Sequence, residues 1–236
     1  ARQRALANWG ESAEQARARR SALVKQLALQ AGFSRVGIAR AEALPQHQAT
    51  LQDWVDRGMH GEMAWLAQDV GRRCDPRQLV AGAQSVVALA LDYDTAQPRT
   101  REVDLQGQDR LWISRYAWGD DYHAVAERRL KSLEIAVTAA LKPELGDAFR
   151  GPGGPVRPFA AVRDFRWYVD HGPVLERVWA QRAGLGWQGR HSLLVDPRRG
   201  SYFFLACVVT SIDLDADAAQ VDHCGSCRAC VDACPT

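Results

Sequence analysis

Four cysteines crowd the C-terminal end of the sequence: Cys224, Cys227, Cys230 and Cys234, the last followed by Pro235. The run fits C-x2-C-x2-C-x3-C-P. Three thiolates at consecutive two-residue spacings let one tight turn of backbone reach three irons of a [4Fe–4S] cubane. A fourth cysteine before proline typically ligates the other cluster of a two-cluster protein. Zinc would instead draw paired knuckles separated by a longer insert. The spacing therefore predicts these four cysteines as iron–sulfur ligands. Cys74 and Cys207 stand alone beside apolar segments and read as buried free thiols. The first three thiolates still need a fourth ligand and Cys234 needs three companions. The expectation is thus a truncated version of a longer protein, with a second cysteine run in the missing part.

Gly184-Leu-Gly186-Trp-Gln-Gly189 spells G-x-G-x-x-G. A dinucleotide fingerprint must follow a strand and open a helix. Here the motif follows a helical pattern and precedes an apolar, strand-like run. The nicotinamide reading fails, and the glycines read as a helix cap and tight turn, or as backbone made thin for a bulky cofactor.

The elements that must position these groups follow from periodicity and punctuation. Helical patterns cover Glu11 to Gln30, closed by Gly32, then Leu51 to Arg57, Tyr122 to Leu141 (stopped by Lys142-Pro143), and Pro173 to Ala183. Strands are expected at Phe33–Ala39, Ser85–Asp92, Ser192–Val195 and Ser201–Ser211, with Ser85–Asp92 the most continuously apolar. Loops are expected at Arg72–Pro76, Pro98–Gln108 and Glu144–Pro158. The order is irregular, without internal repeats, so the fold class is α+β, or a three-layer core, with a cluster-binding tail. The chain has 236 residues, 47% hydrophobic and 25% charged, with a formal net charge of +2. No run has the length of a membrane span, and Ala1 to Gly10 lacks a secretory layout. The default is a cytoplasmic protein in a reducing compartment, without membrane association.

Three further stretches carry a resemblance. They are Tyr168-Val-Asp170-His-Gly-Pro-Val-Leu-Glu176-Arg177, Ala183-Gly-Leu-Gly-Trp-Gln-Gly-Arg190-His191-Ser-Leu-Leu194 and Gly200-Ser201-Tyr-Phe-Phe-Leu205. With Arg73-Cys-Asp-Pro76, Arg115-Tyr-Ala-Trp118-Gly-Asp-Asp121-Tyr122-His123 and the cysteine run, they resemble the epoxyqueuosine reductases, in order, from about residue 20 to the end. Arg190-His191 departs from the family's usual Lys-Asn. The resemblance implies a corrinoid-binding α/β core related to reductive dehalogenases, at residues 1–213. Residues 214–236 would begin a ferredoxin-like [4Fe–4S] module whose remainder is absent. It implies an oxidoreductase that reduces epoxyqueuosine to queuosine in tRNA, with cobalamin, two [4Fe–4S] clusters and an external electron donor. Another corrinoid reductase, such as a dehalogenase, or a non-enzymatic electron-transfer module is the competing reading.

Turning an epoxide into an alkene takes two electrons and two protons and releases water, so the departing oxygen needs an acid. The resemblance assigns that proton to Asp170, whose setting after Trp167-Tyr168-Val169 favours a desolvated carboxyl with a raised pKa. The residues alone allow Asp170 to be a helix cap instead. Asp121 is a second candidate, for positioning or relay, or else a plain helix N-terminal acid. Arg73, Asp170, Leu194 and Leu205 match corrinoid-contacting positions, with surface and core roles as the alternatives for Arg73 and the leucines. His123, His171 and His191 read as hydrogen-bonding residues, and the resemblance requires none of them as a cobalt ligand. Trp112, Trp118, Trp167, Trp179 and Trp187 read mostly as core, with one or two available to stack on a corrin or a base. Arg150, Arg157, Arg163 and Arg166 are either phosphate contacts or solvated surface.

Overall fold

A computed structural model describes residues 11–98, 102, 113–145 and 165–235. The first helix, α1 (Ala13–Gln30), is built from strong helix formers. Ser12 caps it: its hydroxyl accepts the Gln15 N–H while the Gln15 side chain accepts the Ser12 N–H. Gly32, at φ +97°, then turns the chain into β1 (Arg35–Arg40).

Helix α2 (Pro45–Asp56) starts earlier than the pattern from Leu51 implied. Pro45 supplies a first turn that needs no N–H. Arg72-Arg73-Cys74, expected in a loop, instead ends a short helix, α3 (Val70–Cys74). Its reason is burial: Val70 and Cys74, one turn apart, are both buried. Helix α4 (Tyr122–Leu145) also runs beyond Pro143, where it was expected to stop. In the last turn a proline removes one bond from an end that is already closing, so the helix continues two residues further. The loops expected at Pro98–Gln108 and Glu144–Pro158 lie almost wholly outside the described residues.

Strand β2 (Ser85–Asp92) matches its expected range. It is followed, beyond α4, by β3 (Phe165–Tyr168), α5 (Glu176–Arg182), β4 (Trp187–Gln188), β5 (Leu194–Val195), β6 (Phe203–Thr210) and the short α6 (Ala229–Asp232). The main sheet is antiparallel with order β1-β2-β6-β3, while β4 and β5 pair separately as a hairpin. Side chains alternate along β2. Val87 and Leu89 enter an apolar cluster with Val24 and Ala28 of α1 and Leu130, Leu133 and Val137 of α4. Val86, Ala88 and Ala90 enter a second cluster with Trp179 and Ala180 of α5, Cys74 and Leu194. The sheet is therefore covered on both faces, which explains the unbroken apolar run of its central strands. The three-layer expectation holds, and both lone cysteines are fully buried thiols.

One glycine is essential to that layering. A Cβ on Gly37 of β1 would stand 2.0 Å from the Ala183 carbonyl oxygen, so only glycine lets the end of α5 approach the sheet this closely. Beyond β6 the chain stays attached to the core: Leu214 is fully buried, and Asp217 pairs with Ile38 through both its backbone and its carboxylate.

Candidate active site

The turn between β3 and α5 carries Asp170. Tyr168 ends the strand, its ring pressed against Gly172, where a Cβ would meet that ring at 2.3 Å. Asp170 itself adopts the left-handed conformation, φ 53°, unusual outside glycine and a common mark of functional positions. The helix expected from Pro173 begins only at Glu176, with Leu175 as its N-cap and no side-chain cap. Asp170 is therefore not a helix cap. Its carboxylate instead accepts a hydrogen bond from the Tyr122 hydroxyl, 48 residues earlier in the chain. The expectation of a desolvated carboxyl is corrected too, since 61% of the Asp170 side chain is exposed. The carboxylate sits at the outer tip of the turn, open to a cleft rather than enclosed by protein.

Asp121 stands just before α4. Its Oδ1 accepts the His123 backbone N–H at 2.9 Å and lies 2.9 Å from His123 Nδ1. These bonds to His123 hold the Asp121 carboxyl below its ordinary range. His123 Nε2 is 3.8 Å from Asp170, and its ring packs 4.9 Å from that of His171. Tyr122 stacks on Phe204 at 3.9 Å with nearly parallel planes. Burial, then the bond to Asp170, raises the Tyr122 phenol well above its ordinary value, so it remains a hydrogen-bond donor. Asp121, His123, Asp170 and Tyr122 thus form one chain of polar contacts along the start of α4.

Arg73 reaches the same turn from α3. Its Nη1 donates to the Gly172 carbonyl at 3.4 Å, across 99 residues of sequence. Between them lies a cleft of about 480 Å³, lined by Trp65, Gln68, Asp69, Arg72, Arg73 and the Asp170–Pro173 turn, within the size range of small-molecule sites. Of the four corrinoid-contact candidates, Arg73 and Asp170 share this cleft. Leu194 and half-buried Leu205 pack instead in the apolar cluster of Tyr168, Val174 and Trp179 behind it.

Two groups near the site were missed by sequence reasoning. Glu176 is the first residue of α5, a position where an acid is ordinary. Its Oε1 is buried without a hydrogen-bond partner, and burial, aided by the charge of Asp170, pushes its carboxyl up to about 7. Trp65 carries no sequence signal beyond its residue type. Of the tryptophans in the middle of the chain, Trp179 is core, half-buried Trp167 donates to Glu134 at 3.2 Å, Trp118 donates to the Ile113 carbonyl, and half-buried Trp187 meets His223 edge-on. Trp112, Arg150, Arg157 and Arg163 lie outside the described residues, while Arg166 stands over the Tyr168 ring. His191 accepts the Leu193 N–H.

In the tail, the Cys227 N–H donates to the Cys224 carbonyl at 2.8 Å in a turn through Gly225, and Cys230 lies in α6. All four thiols are exposed or half-exposed. Among the described residues, no three His, Cys, Asp or Glu side chains gather closely enough to hold a metal ion. The soft thiolate set matches an iron–sulfur cluster in chemistry, but it is not drawn together into a site. The glycine motif behaves as a turn: Gly184, at φ +78°, leaves α5, and a Cβ on Gly186 would meet the Val195 carbonyl oxygen at 2.4 Å. No described helix is long and apolar enough to cross a membrane.

A family profile described as epoxyqueuosine reductase QueG, DUF1730 matches residues 73–149, which begin at Arg73 and include Asp121, Tyr122 and His123. An epoxyqueuosine reductase of Leadbetterella byssophila is 38% identical over 213 residues, 90% of this chain and 62% of that protein. Among solved structures, an epoxyqueuosine reductase bound to an epoxyqueuosine-modified tRNA-Tyr stem loop superposes with a TM-score of 0.69. It is 29% identical over 90% of this chain and 51% of its own. The Bacillus subtilis enzyme, with its catalytic aspartate loop swung out of the active site, gives a TM-score of 0.67 at 28% identity over 90% of this chain and 50% of its own. The chain thus spans between half and two thirds of the length of these proteins. In sequence and in fold, it is related to the epoxyqueuosine reductases over nine-tenths of its length.

Proposed function

We propose that this chain carries the catalytic core for reduction of epoxyqueuosine to queuosine in tRNA, a two-electron epoxide deoxygenation in which Asp170 is the proton donor. The observation that carries the reading is the single cleft shared by Arg73 and Asp170, with Asp170 held by Tyr122 at a left-handed turn. Relatedness to epoxyqueuosine reductases supports it, as does the catalytic aspartate loop of the Bacillus subtilis enzyme.

The cleft suits part of a cobalamin, offering the Arg73 guanidinium to hold it and the Asp170 carboxylate beside it. Arg73 would hold it, with Leu194 and Leu205 backing the cleft. Bound cobalamin would supply the low-potential electrons of the reaction, ultimately drawn from an external donor through two [4Fe–4S] clusters. Cys224, Cys227, Cys230 and Cys234 would ligate these, together with residues of a longer protein. On this reading residues 1–213 are the cobalamin-binding catalytic domain and 214–236 begin a ferredoxin-like module, in a cytoplasmic enzyme.

Asp170 gives its proton to the oxygen that leaves carbon. Its exposure to the cleft is what lets substrate reach it, and bound substrate and cofactor would provide the desolvation that the protein alone does not. Tyr122 fixes the rotamer of Asp170 by donating to it, and the pair Asp121–His123 lies within reach to return a proton. The test is incubation with cobalamin, a strong chemical reductant and a tRNA stem loop containing epoxyqueuosine, followed by mass spectrometry of the nucleosides. Queuosine should form, and Asp170→Asn should lower the rate about a hundred- to ten-thousand-fold while cobalamin remains bound. Undiminished turnover by that variant removes Asp170 from its role.

A further inference from the structure

Trp65 is unusually placed for an indole. It lies in a single 3-10 turn, Ala64–Leu66, and 56% of its surface is exposed, although tryptophan is on average a highly buried residue. Met59 and Met63, on the same stretch between α2 and α3, are also about half exposed, at 50% and 48%. The tryptophan is nevertheless held in place. Arg73 Nη2 donates to the Trp65 carbonyl at 3.2 Å, and the Arg73 guanidinium carbon stands 5.6 Å from the ring centroid, within cation–π range. The same guanidinium bonds the Gly172 carbonyl. One arginine therefore ties the indole to the turn that carries Asp170, and Trp65, Arg72, Asp170 and His171 line one cleft.

An apolar ring held open beside guanidinium groups suits a ligand that joins a flat face to an anionic group. Single-stranded nucleic acid presents a flat base for stacking and an anionic phosphate for pairing on the same strand. Arg72 is available for the phosphate, because its present partner is an exposed Asp69 at 3.3 Å, a pairing of small net worth. We propose that Trp65 is a stacking platform for a nucleobase of the RNA loop that presents the modified nucleoside to Asp170, with Arg72 contacting the adjoining phosphate. The inference rests on the tRNA reading above and assigns that site a specific RNA contact.

The test measures binding of an epoxyqueuosine-containing anticodon stem loop by fluorescence anisotropy across a salt series. The unsubstituted chain is compared with Trp65→Ala, Trp65→Phe and Arg72→Gln. Trp65→Ala should weaken binding roughly five- to hundred-fold and leave the salt slope unchanged, because stacking releases no counterions. Trp65→Phe keeps a ring and should retain most of the affinity. Arg72→Gln should flatten the logarithmic salt slope by about 0.7, the value for one phosphate contact on a single strand. Cobalamin affinity, followed by the corrin absorption, should not change in Trp65→Ala. Unchanged RNA affinity in Trp65→Ala, or loss of cobalamin in place of RNA, overturns the assignment of Trp65 and leaves the reductase reading standing. An unchanged slope in Arg72→Gln removes the phosphate contact. Failure of the unsubstituted chain to bind the stem loop overturns both readings together.

Discussion

Asp170 and Glu176 lie six positions apart and show how differently two carboxyls can be set. Asp170 is open to the cleft and hydrogen-bonded by Tyr122; Glu176 is half-buried, with one carboxyl oxygen buried and unpartnered. Burial raises the Glu176 carboxyl from 4.5 to about 7, so the folded state binds this proton more tightly than the unfolded chain. Between these two values the unfolded state holds fewer protons, and the stability contributed by Glu176 falls as pH rises. Above about 7 the penalty is fully present, on the order of 3 kcal/mol. Glu176→Gln removes the titration. Urea unfolding at pH 4.5, 6 and 8 should show the variant gaining on the parent progressively with pH. A constant difference across the series would mean that Glu176 does not titrate in this range. Sequence could not have revealed this residue, because a glutamate at the first position of a helix looks like an ordinary dipole partner. Only the packing of α5 onto the sheet buries it.

At the scale of elements, that packing depends on Gly37. Gly37→Ala would place a methyl group against the Ala183 carbonyl oxygen, a backbone atom that cannot rotate away. The expected cost is about 1–3 kcal/mol or more, read as a lower midpoint of chemical denaturation. Because α5 follows the Asp170 turn directly, the turnover proposed for Asp170 should fall along with it. Leu130→Ala on α4 tests the opposite layer. Leu130 is fully buried in the cluster beneath β2, so the cavity should cost about 2–5 kcal/mol without altering cobalamin binding. These layers were only partly legible beforehand. Ser85–Asp92 could be read in full because a strand buried on both faces is apolar throughout. The start of α5 was misread by three residues, since Pro173 signals a helix start and nothing local reveals the left-handed turn at Asp170. The motif around Asp121, Tyr122 and His123 was visible, yet the Tyr122–Asp170 bond that gives it meaning joins the start of α4 to the turn after β3, 48 residues away. Periodicity carries no such long-range pairing.

On the proposed reading the whole molecule must bring a cysteine tail to a fixed place relative to the cleft, and the structure shows where the tail is anchored. Asp213, Asp215 and Asp217 alternate along the exit from β6. Asp213 pairs with Arg40 at 2.6 Å, Asp215 with Arg17 and Asp217 with Lys25, while Leu214 between them is fully buried. Ion pairs such as these, which keep roughly a third of each side chain in water, contribute modestly on their own. The Asp217 carboxylate does more, because it also accepts the backbone N–H of Ile38 at 2.9 Å, and Ile38 is fully buried. Removing that acceptor leaves a buried donor unsatisfied, at a cost of about 1–3 kcal/mol. Asp217→Ala should therefore release the segment carrying the cysteines before it unfolds the sheet. In hydrogen exchange, the amide of Ile38 should exchange faster, while Val87 and Val208 in the central strands keep their protection. Limited proteolysis should cut the variant between 218 and 235 at protease levels that spare the parent. Equal protection of Ile38 in the two proteins would show that the Asp217 carboxylate is not what holds the tail. On the proposed reading, the same release would uncouple electron delivery from a cleft whose cobalamin affinity is unchanged.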